Sequence, residues 1–383
     1  MKSAQYKFFV PTKLLFGAGC SNDVGKWLKD LGSSKILLVT DAGLKNIGVA
    51  GRIENRIRNE DLTVVTYSDV KENPTVENVH EGRDLIKKEN IDAVVALGGG
   101  SSMDAAKAMG ILSAHDGSIV EYELGLKPFV RNGPPLIAIP TTSGTGSEAT
   151  MGAVITDPTT HRKFDVVDPM MAPRLSLVDP LLTVSLPAAL TGATGMDALT
   201  HAIEGYTATL ASPLTDALHL KAIELIGKNL VKAYTDGNNK EARTNIMMAS
   251  LIAGIGFPNS GLGAVHGLSL PLGGRFNIPH GIANAIILPH VMNFNLSSCP
   301  NKFSDIAQAL DGKNKNPEQS VEAVLKLRKE LSIPVLRSYD IQLKDLPLLA
   351  KDALGRNSNC VTNPKVVTEV NAIEIYRSAL AEK

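Results

Sequence analysis

The pattern of apolar residues changes once along this chain, and that change constrains the fold more than any single motif. Up to about residue 180, short β-branched runs alternate with helical stretches. The runs are 36–40, 62–67, 91–97, 135–139 and 175–178, while 76–88 and 102–112 place apolar residues at helical spacing. Such alternation predicts repeated βα units and a mainly parallel sheet. After Ser185 the composition turns to Ala, Leu and Ile with a helical period, as in 188–209, 215–234, 242–255 and 317–331, and no convincing strand follows. The expected architecture is an α/β domain over residues 1–184 and an all-helical domain over 185–383, with the junction as the default place for a ligand. At roughly 150 residues per domain, a chain of this length holds two or three domains and buries a large core unaided.

Composition narrows the function classes. Hydrophobic residues are 44% and charged residues 20%, which excludes a disordered, collagenous or coiled-coil chain. Lys plus Arg and Asp plus Glu are 39 each, so bulk charge gives no reason to bind nucleic acid or an anionic membrane. Cys20, Cys299 and Cys360 are odd in number and form no C-x-x-C pair, which argues against a disulfide framework and a cysteine zinc site. The opening MKSAQYKFFVPTKLLF lacks the apolar run of a signal peptide, and no stretch of about 18 apolar residues occurs. A cytoplasmic protein is expected. No internal repeat is visible.

The run 92–97 leads directly into Gly98, Gly99, Gly100 and Ser101 and then a helix. Residues without Cβ before a set of free helix-start N–H groups suit a diphosphate, since backbone approaches closely and the helix dipole favours anions. Ser101-x-x-Asp104 also has the form of a capping box, which would make the segment a well-capped turn instead. A second Gly-rich segment, 141–148, follows the apolar run ending at Ile139. Its Gly144-x-Gly146-x-x-Ala149 matches the dinucleotide fingerprint but stands far from the usual first βα turn, so it carries little weight. The hydroxyls of Thr141, Thr142, Ser143 and Thr145 could hold a cofactor ring or ribose, or form a plain polar loop. Asp41 ends the run 36–40, where a carboxylate accepts from an adenosine ribose and repels a 2′-phosphate, favouring NAD over NADP. It equally fits a helix N-cap.

Asp197 and His201 stand at i and i+4, on one helical face. His266 and His280 follow within a stretch rich in Gly and apolar residues. Alone, each reads as a surface pair or a core histidine; together they suit a His₃Asp site for Fe(II) or Zn(II) with a position left for substrate. His80, His115, His161 and His219 lack such a setting; His290 has one in Leu288-Pro-His and is assigned to packing.

Four segments, Gly98-Gly-Gly-Ser101-x-x-Asp104-x-x-Lys107, Thr141-Thr-x-Gly-Thr-x-Ser-Glu148, Gly195-Met-Asp197-Ala-Leu-Thr-His201 and His266 to His280, resemble the iron-dependent (group III) alcohol dehydrogenase family. Asn73-Pro-Thr75 and Val178-Asp-Pro180 extend the likeness, which covers nearly the whole chain in order. The resemblance implies a dehydroquinate synthase-like fold, an α/β dinucleotide-binding domain plus an all-α metal domain, and homodimers formed partly through residues 7–16. It implies cofactor contacts at Asp41, Asn73, Gly98, Gly99, Gly100, Ser101, Asp104, Thr141, Thr142, Thr145 and Lys163, and metal ligands at Asp197, His201, His266 and His280. The implied reaction is hydride exchange between NAD(H) and a small alcohol or aldehyde, with aldehyde reduction favoured near neutral pH.

Two departures bear on substrate. Many relatives carry a further histidine four residues after the third ligand, where this chain has Leu270, so proton exchange needs another route. Arg275 precedes His280 where relatives commonly have an aromatic or aliphatic residue. A guanidinium near the metal would fork onto a carboxylate or sulfonate, pointing to sulfoacetaldehyde or a semialdehyde. A surface salt bridge is the alternative, and with it a general short-chain, 1,3-propanediol- or lactaldehyde-type dehydrogenase. A polyol dehydrogenase or a dehydroquinate-synthase-like lyase shares the fold, and an idle nucleotide- and metal-binding protein is the reading from a different class.

Overall fold

The computed structural model describes residues 5–160, 162–312, 316–355 and 359–382. Backbone contacts divide the chain into two units, one of Val10–Thr142 with Ser147–Thr183, the other of Met1–Phe9, Ser143–Gly146 and Val184–Lys383. The architecture is the expected one: a mainly parallel sheet followed by helices.

The first unit contains strands β1 (Lys13–Phe16), β2 (Lys35–Val39), β3 (Thr63–Tyr67), β4 (Ala93–Gly98), β5 (Leu136–Pro140), β6 (Gly152–Asp157), β7 (Arg162–Val167) and β8 (Leu175–Val178). Six of them form one sheet in the order β1-β8-β5-β4-β2-β3, and every pairing in it is parallel. The near-continuous apolar runs follow from burial on both faces. On one face Leu37, Val39, Val94 and Ala96 pack with Met103, Ala106 and Met109 of the helix Gly100–Ser113. On the other, Ile36, Leu38, Val95 and Leu97 meet Val24, Leu28, Ile53 and Ile57. Each Val, Leu, Ile or Met among them contributes about 1.5–3 kcal/mol on burial, so Leu38→Asp would break the inner strand.

Strand order sets where a ligand can bind. From β2 the chain goes outward to β3 and then returns to place β4 on β2's other side. That reversal opens a crevice beyond the carboxyl ends of β2 and β4, the usual ligand position in open α/β sheets.

The antiparallel hairpin β6–β7 was not among the expected strands. Its signal is present: Ala153 and Ile155 on one strand and Phe164 and Val166 on the other stand at alternate positions and are all buried. A loop of Pro158, Thr159 and Thr160 without glycine hid the turn.

In the second unit Met196, Leu199 and Ile203 of the helix Ala188–Thr207 pack on Ile223, Ile226 and Leu230 of Pro213–Thr235 and on Ile246, Ala249 and Ala253 of Lys240–Ser260. Ser212 starts Pro213–Thr235 with a capping box to Thr215 and Pro213 in the first turn. Two further helices, Ala264–Phe276 and His280–Asn295, run through internal Pro271 and Pro289. Glycine and proline lower their propensity, and burial of Leu268, Leu272, Ile286 and Leu288 overrides it. Among the described residues no strand follows Ser185, and no single helix is long and apolar enough to cross a membrane.

Candidate active site

The sheet unit builds its candidate cofactor site largely from backbone. β4 and β5 pair Gly98 with Pro140, which sets Gly99 to Ser101 beside Thr141 and Thr142. Thr141 N–H donates to the Gly98 carbonyl at 2.9 Å. Gly98 has φ +152°, and a Cβ there would lie 2.5 Å from the Ser102 hydroxyl. No side chain fits. The capping-box expectation fails here, because the N-cap is Gly99, without a side-chain cap. Ser101 donates its hydroxyl to the Glu72 carbonyl, and Asp104 accepts from Ser147 Oγ at 2.7 Å and from Val154 N–H at 2.9 Å. Asp104 therefore braces the β6 hairpin, with the buried Lys107 ammonium beside it.

Asp41 caps the short helix Ala42–Asn46, accepting from Leu44 N–H at 3.0 Å through Oδ1. The capping role foreseen for it is thus real, and Oδ2 keeps its acceptor capacity. Lys163 on β7 donates to Asn73 Oδ1 at 2.8 Å, and burial holds its ammonium below the usual range. Asn73 immediately follows Glu72, the acceptor of Ser101, so these expected cofactor positions form one neighbourhood. Thr145 belongs to the helical unit. There a Cβ at Gly146 would fall 2.5 Å from Gly254 Cα, and one at Gly144 2.8 Å from Thr194 Cβ, so the segment Ser143–Gly146 lies against the helices as bare backbone.

The helical unit builds its candidate metal site from side chains. Asp197 and His201 share one face of Ala188–Thr207, as the spacing predicts. His266 comes from the first turn of Ala264–Phe276 and His280 from the start of His280–Asn295. The His266 and His201 Nε2 atoms are 3.1 Å apart, and Asp197 Oδ1 is 3.9 Å from His266 Nε2 and 3.6 Å from His280 Nε2. Ligand atoms of Asp197, His201 and His266 all lie within 4.8 Å of one another, and the three residues are buried. The His201 ring is further fixed by stacking on Phe257, centroids 4.6 Å apart.

Asn284 tests whether a cation suits this cluster. Its amide nitrogen stands 2.7 Å from Asp197 Oδ1, 3.2 Å from His266 Nε2 and 3.1 Å from His280 Nε2, while its buried Oδ1 has no hydrogen-bond partner among the described residues. Three acceptors thus converge on the positive end of one dipole, an arrangement that a divalent ion satisfies better. Electrostatics agree. Burial pushes the Asp197 carboxyl up, but His201, His280, His266 and the Asn284 amide outweigh it and leave it below the usual range. Burial pushes His201 down to about 4. A carboxylate beside neutral imidazole is the protonation state that ligates metal.

Sequence reasoning passed over Asn284 and Glu204, whose carboxylate lies 2.6 Å from His266 Nδ1. Glu204 stands seven residues after Asp197 on the same helix, and the i, i+4, i+7 spacing could have revealed it. Arg275 donates Nε–H to Asp352 Oδ2 at 2.6 Å, both side chains being partly exposed. Leu270 lies one turn beyond His266 on its helix. His80, His115, His219 and His290 all have partners in the packing, such as Ser260 at 3.0 Å for His219 and Ser378 at 3.0 Å for His290; His161 lies outside the described residues.

Known proteins are similar to this chain over nearly its full length. Residues 11–180 match the iron-containing alcohol dehydrogenase family, and residues 191–380 match the C-terminal region of the Fe-containing alcohol dehydrogenase family. A 1,3-propanediol dehydrogenase of Citrobacter freundii is 40% identical over 99% of this chain and 100% of its own. A crystal structure of a 1,3-propanediol oxidoreductase superposes with a TM-score of 0.95 at 38% identity, covering 98% of this chain and all of that one. A sulfoacetaldehyde reductase from Bifidobacterium kashiwanohense, solved with NAD+, superposes at 0.92 with 28% identity over the whole of both chains. With two family regions covering residues 11–180 and 191–380 and a buried Asp197, His201 and His266 group that could hold a metal ion, the chain belongs to the iron-containing alcohol dehydrogenase family.

Proposed function

We propose that this protein interconverts a small, uncharged primary alcohol and its aldehyde with NAD(H), working mainly as an aldehyde reductase. The buried group of Asp197, His201 and His266, with His280 Nε2 3.6 Å from Asp197 Oδ1, supports the reading. Fe(II) or Zn(II) bound there supplies Lewis acidity at the reacting oxygen. The chain's own residues do the rest. The bare start of Gly100–Ser113, with Gly98 and Gly99 before it, receives the cofactor diphosphate. Asp41 accepts from the adenosine ribose and disfavours a 2′-phosphate. Thr141, Thr142 and Thr145 offer hydroxyls to the cofactor, and the Lys163 ammonium, which donates to Asn73 Oδ1 at 2.8 Å, is its further donor.

Arg275 bears on the choice between the two substrate classes. Its guanidinium is already matched by Asp352, which favours a structural role over capture of an anionic tail. A neutral aldehyde follows, in keeping with the 1,3-propanediol named for the 40%-identical relative. The test is NADH oxidation by metal-reconstituted protein over neutral, carboxylated and sulfonated aldehydes of equal length. Neutral members are expected to be preferred, and Arg275→Ala to change KM for either class by less than about twofold, as for an exposed ion pair. A preference for anionic members that Arg275→Ala abolishes would restore the sulfoacetaldehyde or semialdehyde reading.

Homodimerisation is part of the same proposal. β1 is an edge strand, and Tyr6, Phe8 and Phe9 just before it are exposed. Light scattering at micromolar concentration checks it. A cytoplasmic setting accords with Cys20, Cys299 and Cys360 all being free thiols.

A further inference from the structure

Glu204 is buried and lies on the helix that carries Asp197 and His201. Its Oε1 accepts from Val265 N–H at 2.6 Å, and its Oε2 from His266 N–H at 3.4 Å and from His266 Nδ1 at 2.6 Å. Val265 and His266 are in the first turn of Ala264–Phe276, whose own N-cap, Gly263, makes no side-chain cap. A Cβ on Gly263 would come 2.7 Å from Glu204 Oε1, so glycine there gives up the local cap and admits the distant carboxylate. Asn363 Oδ1 takes Ala264 N–H at 3.2 Å. The helix start is thus capped by groups remote in sequence, and a carboxylate is the anion that a helix N-terminus favours.

The contact to His266 has a chemical consequence. A carboxylate at Nδ1 requires the proton on that nitrogen, leaving the Nε2 lone pair for the side where His201 Nε2 and Asn284 lie, at 3.1 and 3.2 Å. We propose that Glu204 is a positioning residue for the metal centre: it fixes His266 as the Nδ1–H tautomer and pins the turn that carries it, so that Nε2 is presented as a ligand. The helix Ala188–Thr207 then supplies from one face two ligands and the group that aims a third. This inference rests on the metal reading above.

The experiment compares unsubstituted protein with Glu204→Gln and Glu204→Asp. Zn(II) affinity of the metal-stripped proteins is measured by calorimetry, the His266 tautomer by long-range 15N–1H couplings, and thermal unfolding before and after loading. Glu204→Gln must set its amide N–H₂ against either Val265 N–H or the His266 donors. It is expected to bind Zn(II) about 10–100-fold more weakly, the usual effect of losing such an orienting partner, and to lose the tautomer preference. Glu204→Asp, which keeps the charge, is expected to recover part of the affinity. Unchanged Zn(II) affinity and tautomer in Glu204→Gln, with only a lower unfolding temperature, would reduce Glu204 to a helix cap and overturn the inference. Failure of the unsubstituted protein to bind one Zn(II) would instead overturn the metal reading, and this inference with it.

Discussion

Each of the two units carries a candidate site, and they make them by opposite means. At the strand ends of the sheet unit the useful groups are backbone, and the sequence contributes by leaving side chains out at Gly98, Gly99 and Gly100. In the helical unit the useful groups are side chains, and the backbone only spaces them. The difference teaches what each half tolerates. A backbone site fails when an atom is added, and a side-chain site fails when one is removed.

The sharpest break of that comparison comes from the helical half. Asp197→Ala and His266→Ala each remove a ligand and are expected to empty the site, with kcat/KM falling roughly 100-fold or more. Metal analysis and NADH binding measured together check this, since cofactor affinity should persist. An intermediate effect is expected from Gly98→Ala, whose methyl would meet Ser102 Oγ at 2.5 Å. NADH affinity should fall about tenfold, or roughly 1.4 kcal/mol, with Zn(II) binding unchanged. A variant that bound NADH normally would show that the sheet half is less dependent on bare backbone than its geometry says.

The smallest effect concerns pH. Burial raises the Glu148 carboxyl to about 7, with Lys107 partly opposing the shift. A carboxyl whose folded pKa lies above its ordinary 4.5 gives stability that is complete below that value and lost as pH rises through about 7. Glu148→Gln removes the titration. Its unfolding temperature relative to the unsubstituted protein is therefore expected to climb between pH 5 and 8, at roughly 2–4 °C per kcal/mol in a chain of this class. A flat difference across that range would mean that Lys107 holds Glu148 ionised throughout.

Much of the site was legible because its signals are local. Gly98 to Ser101 follow a strand directly, and Asp197 and His201 are one turn apart, so periodicity alone places them. Asp104 and Ser101 show the limit. The capping-box spacing is a local pattern, yet Ser147 and Val154 compete for Asp104 and the Glu72 carbonyl takes Ser101. Arg275 shows it again, since its partner Asp352 lies 77 positions away and nothing near either residue announces the pair.

By itself the sequence determined the alternation of strand and helix, the switch to an all-helical half, the glycine-rich strand ends and the residue types of the metal cluster. Each depends on neighbours within about one or two turns, where chain geometry fixes which side chains share a face. Only the tertiary structure decided the pairing of β1 with β8, the remote capping of the His266 helix by Glu204, the placing of Asn284 among the ligands and the matching of Arg275 by Asp352. Those contacts join segments distant along the chain, and hydrogen bonds between such groups are set by how whole elements pack, which no local period encodes.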